Sequence, residues 1–176
     1  MLSTGHAARR TSRRGPAFAA ALAALAAACA AGGRQPRATG ASLHRLAAAV
    51  RHDIYGRPVA LDRLLAGRAV LYFFRSDCPH CAGDVASAPA LDGRPDAPPL
   101  VLVSREGADH LRSALGPEPQ AGLVVVSDSD GAITRAALPT RFVPRIVAVE
   151  HFTVRFDVTG GAGLAGAVAA LGGGTR

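Results

Sequence analysis

From Ala69 to Phe74 six apolar residues follow one another, "AVLYFF", several of them β-branched or aromatic. A run this short and continuous reads as a strand covered on both faces. "LVLVS" (100–104) and "GLVVVSD" (122–128) repeat the pattern. Between and after them lie segments of helical character: "CAGDVASAPAL" (81–91), "EGADHLRSALG" (106–116), closed by Gly116, and "DGAITRAAL" (130–138), ending at Pro139. Upstream, "RPVAL" (57–61) is a short strand after the turn "YG", and "LDRLLAG" (61–67) is about one helical turn stopped by Gly67. "DGRPDAPP" (92–99) is a loop. Downstream, "RIVAVEHFTVRFDV" (145–158) gives two strands with little between them, a hairpin, and "GAGLAGAVAALG" (161–172) is a small-residue helix. Strands separated by helices imply βαβ units, and the closing hairpin adds an antiparallel edge. The expected class is α/β, with a central mixed sheet flanked by helices.

The first third has a different texture. Arg9, Arg10, Arg13 and Arg14 precede an apolar run from Ala17 to about Ala31, and the polar "GRQPRATGAS" follows. This is the layout of a secretory signal, and the run is shorter than the roughly twenty residues that span a bilayer. Residues 1–31 are therefore expected to be a leader or short anchor, 32–41 a linker, and 42–176 the folded domain. Cys29 ends the apolar run, where "LAAAC" resembles a lipobox with its Leu one position too far upstream. Acylation of Cys29, its loss by cleavage after Ala30 or Ala31, and retention of the segment as an anchor are the three fates open to it. Each places the folded part outside the cytoplasm, where disulfides persist.

Charge changes the picture little. The chain of 176 residues carries a formal +7, all of its cations arginine. Without the four leader arginines, sixteen face thirteen acids, which leaves +3. No basic stripe interleaves with aromatics, so nucleic acid is not an expected partner.

Two of the three cysteines stand at C-x-x-C spacing just past the central strand, in "SDCPHC". If a helix begins there, Pro79 suits its first turn, where a missing N–H costs nothing. Cys78 then sits at the helix N-terminus, where the dipole and free N–H groups stabilise a thiolate. Cys81 is one turn deeper on the same face, able to close a disulfide yet shielded. This is the arrangement of an attacking and a resolving thiol. His80, as an imidazolium, would lower the Cys78 pKa further and make the disulfide more oxidising. Three other readings of the pair stand beside this one: a structural disulfide, which gains little in so short a loop; half of a zinc site, for which no second C-x-x-C exists; and a chance pair of small buried cysteines.

On these motifs the chain resembles the thioredoxin-like family, most closely the extracytoplasmic TlpA/ResA-type redoxins, over most of 50–171. "DIYGRPVALDRLLAGRAVLYFF" (53–74) looks like that family's opening, and "SDCPHC" matches its redox motif; CPHC is also the setting found in the DsbA oxidants. "LPTRFVPRIVAV" (138–149) resembles the segment carrying the family's cis-proline. The resemblance implies a cis Val143–Pro144 bond opposite the cysteines, with Val143 contacting an extended substrate segment. Taken alone, Pro144 would read as a trans strand-start proline.

The departures from that family are specific. Asp77 stands where Trp often precedes the first Cys; its carboxylate opposes the thiolate unless it caps the helix. Tyr72 occupies the position of the buried acid that helps deprotonate the second Cys in classical thioredoxins. Glu106 is a remote replacement, with a solvated helix-start Glu as its ordinary reading. Pro89 comes later than the family's helix proline, which predicts a short or distorted helix. The expected function is extracytoplasmic thiol–disulfide exchange with client proteins through Cys78 and Cys81, in the reductive direction. A membrane thiol-redox partner is expected, and no metal or organic cofactor. The rival reading is a Cu(I)-handling assembly factor, in which the same cysteines bind copper with His110 or His151 completing the site. A peroxiredoxin-type peroxidase is disfavoured because Arg75, not Thr, lies three residues before Cys78. A degenerate fold serving only as a binding module is disfavoured by the intact C-x-x-C.

Overall fold

The computed structural model describes residues 40–48, 50–117, 122–137, 142–159 and 163–172. Cys29, the leader and nearly all of the linker lie outside the described residues.

A helix, α1 (Gly40–Ala47), opens the described part, across the boundary the sequence pattern sets between linker and domain. Its "LHRL" places Leu43 and Leu46 three apart, and both are buried. A two-stranded antiparallel ribbon follows, β1 (Arg51–His52) and β2 (Pro58–Val59), then α2 (Leu61–Ala66). The main sheet is built from β3 (Arg68–Phe74), β4 (Leu100–Ser104), β5 (Val124–Ser127), β6 (Arg145–Glu150) and β7 (Thr153–Thr159), in the order β5-β4-β3-β6-β7. β3, β4 and β5 are parallel; β6 and β7 run antiparallel as the closing hairpin. The remaining helices are α3 (Pro79–Asp92), α4 (Ala108–Leu115), α5 (Ala132–Ala137) and α6 (Leu164–Gly172).

The continuous apolar run of β3 is explained by its place at the centre. Val70, Tyr72 and Phe74 point to one face of the sheet and pack with Cys81, Ala88 and Leu91 of α3, Leu111 of α4 and Leu164, Ala167 and Val168 of α6. Leu71 and Phe73 point to the other, with Leu43 and Leu46 of α1, Leu61 and Leu65 of α2 and Ile133 and Ala137 of α5. Successive side chains alternate faces, so a strand with helices on both sides must be apolar at every position.

Pro89 does not shorten α3, which runs for fourteen residues and ends at Gly93. Proline removes one N–H, but its carbonyl still accepts the Gly93 N–H at 3.1 Å. At the start of β6, Arg145 and Asp157 of β7 form a buried two-pronged ion pair, both contacts 2.7 Å. This pair ties the residue after Pro144 to the edge strand.

Candidate active site

β3 delivers the chain to the carboxyl edge of the sheet, the usual place for a site in an α/β fold. A tight turn comes next, closed by the Cys78 N–H to the Arg75 carbonyl at 3.2 Å. Cys78 is the N-cap of α3 and Pro79 its first residue, so the helix begins two residues earlier than the periodicity predicts. Cys81 donates its backbone N–H to the Cys78 carbonyl at 3.0 Å, which folds the two cysteines into one turn. They are bonded as a disulfide with Cα atoms 5.3 Å apart. Cys78 is half-buried, and Cys81 is 1% exposed. Cys78 is thus the more exposed of the two, and a cavity of about 290 Å³ lies beside Cys81, bounded by Phe74, Ser76, Val85 and Leu115.

The Val143–Pro144 bond is cis. Pro144 is buried, Val143 half-buried, and Phe142 before them 66% exposed. Antiparallel register pairs Arg145 with Phe73, so its extension sets Pro144 and Val143 beside Phe74 and Arg75, the residues leading to Cys78. Val143 shares a cavity of about 70 Å³ with Phe74, Arg75, Arg105 and Thr134, and packs on the same core cluster as Cys78. Cys78, Cys81, Pro79, Val143 and Pro144 are therefore one neighbourhood. His80 lies in the first turn of α3 with its ring exposed and no hydrogen bond to the described residues. A hollow of about 750 Å³ elsewhere is lined by His44, Val50, Val59 and Phe152 and by none of these residues.

Asp77 does not cap α3. It pairs with Arg75 at 2.6 Å, both side chains well exposed. Glu106 is not a solvated helix-start residue: α4 begins at Ala108, and the Glu106 carboxylate is bonded to Ser76 and Ser104. The acid that sequence reasoning missed is Asp84. It follows Cys81 by three residues on α3, accepts the buried Tyr72 hydroxyl at 3.1 Å, and accepts the Leu164 N–H at 3.1 Å. Burial, then the Asp84 charge and hydrogen bond, push the Tyr72 phenol well above its ordinary value. Tyr72 therefore stays a neutral donor, and a carboxylate stands one turn beyond Cys81. The i, i+3 spacing in "CAGD" was the available signal.

The two histidines that a copper site would draw on each have a polar neighbour. His151 Nδ1 is 2.6 Å from the Ala66 carbonyl, and His110 Nε2 is 3.0 Å from Ser76 Oγ. Among the described residues no three metal-ligating side chains gather at one point.

No protein-family model matches the chain, and no curated protein does. Solved structures do. MTB DsbF, in its mixed oxidised and reduced forms, matches with a TM-score of 0.60 at 21% identity, over 76% of this chain and 98% of that one. A secreted Mycobacterium tuberculosis disulfide oxidoreductase homologous to E. coli DsbE matches with 0.53 at 25% identity, over 73% and 98%. The Xanthomonas campestris bacterioferritin comigratory protein, described for alkyl peroxide reduction, matches with 0.60 at 16% identity, over 76% and 94%.

The fold is thioredoxin-like. On that fold, a C-x-x-C disulfide with one accessible sulfur at a helix N-terminus is a redox-active centre suited to thiol–disulfide exchange. No helix among the described residues is long and apolar enough to cross a membrane.

Proposed function

We propose that the protein is an extracytoplasmic thiol–disulfide oxidoreductase of the TlpA/ResA type, working as a reductant of client disulfides. The observation that carries the reading is the half-buried Cys78 bonded to the buried Cys81 in the first turn of α3, beside the cis Val143–Pro144 segment.

In the reductive direction the Cys78 thiolate attacks one sulfur of a client disulfide. A Cys78–client disulfide forms and the client's other sulfur leaves as a thiolate, which takes a proton. Cys81, deprotonated, then attacks the Cys78 sulfur; the client's second thiol departs, and Cys78–Cys81 closes. An external dithiol, which we assign to a membrane redox partner, restores the reduced pair by the same exchange. The backbone at Val143, just before the cis bond, is where an extended client segment would lie, and no organic cofactor or metal enters the cycle. Asp84, one turn from Cys81, is placed to take the resolving thiol's proton. His80 and Asp77 flank Cys78 with opposite influence on its thiolate. Support for a site outside the cytoplasm comes from the basic-then-apolar layout of residues 1–31 and from the secreted mycobacterial neighbour.

The test is the reduction potential of the protein in glutathione buffers, with Cys78→Ser as control. A potential near or below about −250 mV fits a reductant fed by a membrane donor, and one above about −180 mV fits an oxidant or isomerase. Absence of a reversible Cys78–Cys81 disulfide removes the exchange reading altogether.

A further inference from the structure

The turn that carries Cys78 is gripped by a carboxylate that the exchange steps do not use. Glu106 lies between the end of β4 and the start of α4. Its Oε2 accepts the Ser76 backbone N–H and the Ser104 hydroxyl, both at 2.8 Å, and its Oε1 accepts the Ser76 hydroxyl at 2.7 Å. Its own carbonyl accepts the Ser127 hydroxyl at 2.8 Å, at the end of β5. One residue thus ties the carboxyl ends of β4 and β5 to the Arg75–Cys78 turn.

The bonds fix where the protons are. A hydroxyl has one hydrogen to give. Ser76 gives its hydrogen to Glu106, so His110 Nε2, 3.0 Å from the same oxygen, must carry a hydrogen and donate it. Ser104 gives its hydrogen to Glu106 and in turn accepts the Glu106 N–H at 3.3 Å. The carboxylate therefore receives three donors, with His110 Nε2 3.4 Å from Oε1. Burial works against the charge, but the Ser76 and Ser104 bonds and His110 outweigh it, and the Glu106 pKa is held below its ordinary value. A fixed negative charge thus rests on the residue two before Cys78. Negative charge near a thiol disfavours its thiolate, and a less stable thiolate makes the disulfide a weaker oxidant.

We propose that Glu106 is a positioning residue that fixes the turn carrying Cys78 and, by its charge, holds the Cys78–Cys81 couple toward the reducing end of its range. This rests on the thiol–disulfide reading above and accounts for its direction.

The experiment measures two quantities in the full chain: the equilibrium with glutathione, and the pH profile of Cys78 alkylation in the reduced protein. Glu106→Gln keeps the shape and removes the charge. It should shift the equilibrium about tenfold toward the dithiol, about 30 mV more positive for this two-electron couple, and move alkylation to lower pH. His110→Arg sets a permanent cation against the same carboxylate from a side chain 64% exposed, and should shift both readouts the same way. It decides the matter if Glu106→Gln does not fold. Asp109→Asn removes a carboxylate that faces solvent from the same helix and pairs with Arg112, and should move neither. The proposal is overturned if the folded Glu106 and His110 variants stay within about twofold of the parent, or shift the opposite way, or if Asp109→Asn shifts as far as they do. If the parent forms no reversible disulfide, the exchange reading falls, while the alkylation profile still decides whether Glu106 acts on Cys78.

Discussion

Asp157→Ala is the most informative single perturbation of the scaffold. The Arg145 and Asp157 side chains are 2% and 6% exposed, and their two contacts of 2.7 Å make a fork-to-fork pair. Removing the carboxylate breaks a buried two-pronged ion pair from one side, which costs about 3–5 kcal/mol. Total stability for a domain of this kind is about 5–15 kcal/mol, so the loss is a large share of it. At about 3–5 °C per kcal/mol for this size, the melting temperature should fall by about 10–20 °C. Urea unfolding of parent and variant gives the free-energy difference directly. Arg145 is also the residue after Pro144, so the variant should turn over a protein client more slowly while its reduction potential stays put. The double variant Arg145→Met/Asp157→Leu removes both charges and should recover a large part of the stability, because an apolar pair of similar volume escapes the desolvation cost. A single variant less than 1 kcal/mol below the parent, or a double variant no better than the single, would refute the reasoning that the buried charge carries the penalty.

Three further outcomes are expected. Cys81→Ser should accumulate a covalent adduct with an oxidised client on a non-reducing gel; an accessible Cys78 that leaves no adduct contradicts the assigned roles. Asp84→Asn should slow closure of Cys78–Cys81 in stopped-flow while the first attack keeps its rate, and two unchanged rates would remove Asp84 from the mechanism. The Glu106 carboxyl has a depressed folded-state pKa, so its contribution is complete above the ordinary carboxylate range and is lost as pH falls through and below it. Melting temperature should therefore fall on acidification below that range, less steeply in Glu106→Gln, and equal slopes in the two proteins would count against this.

Much of the fold was legible because the central strands advertise themselves. A strand covered on both faces has no polar positions to confuse the period, and β3 and β4 read cleanly for that reason. The hairpin was legible from two apolar runs separated by almost nothing, and the C-x-x-C from spacing alone. What failed to show was anything whose reason is tertiary. α1 was not legible as a helix because the apolar positions Leu43 and Leu46 make too short a pattern in "GASLHRLA", and their contacts come from elements far along the chain. Pro89 looked like a helix breaker because it offers no N–H to the preceding turn, yet α3 runs on to Asp92. Glu106, just before α4, and Asp84, within α3, are carboxylates whose partners the sequence does not mark. Their partners, Ser76 at thirty residues' separation and Tyr72 at twelve, become neighbours only when β3 lies beside β4 and beneath α3.

On the proposed function, those two acids would divide the work that one buried acid does behind the cysteines of a classical thioredoxin. Tyr72, at that buried position, cannot exchange a proton near neutrality, since its phenol is pushed up and its hydroxyl is committed to Asp84. It instead orients a carboxylate one turn beyond Cys81, on the resolving side. On the attacking side a second carboxylate, fully occupied by donors, acts only as a charge and a clamp. A proton acceptor for Cys81 has to titrate or find water; a clamp for the Cys78 turn has to stay ionised. Glu106, held by three donors, suits the clamp, because every hydrogen bond that steadies a carboxylate also makes it a poorer base.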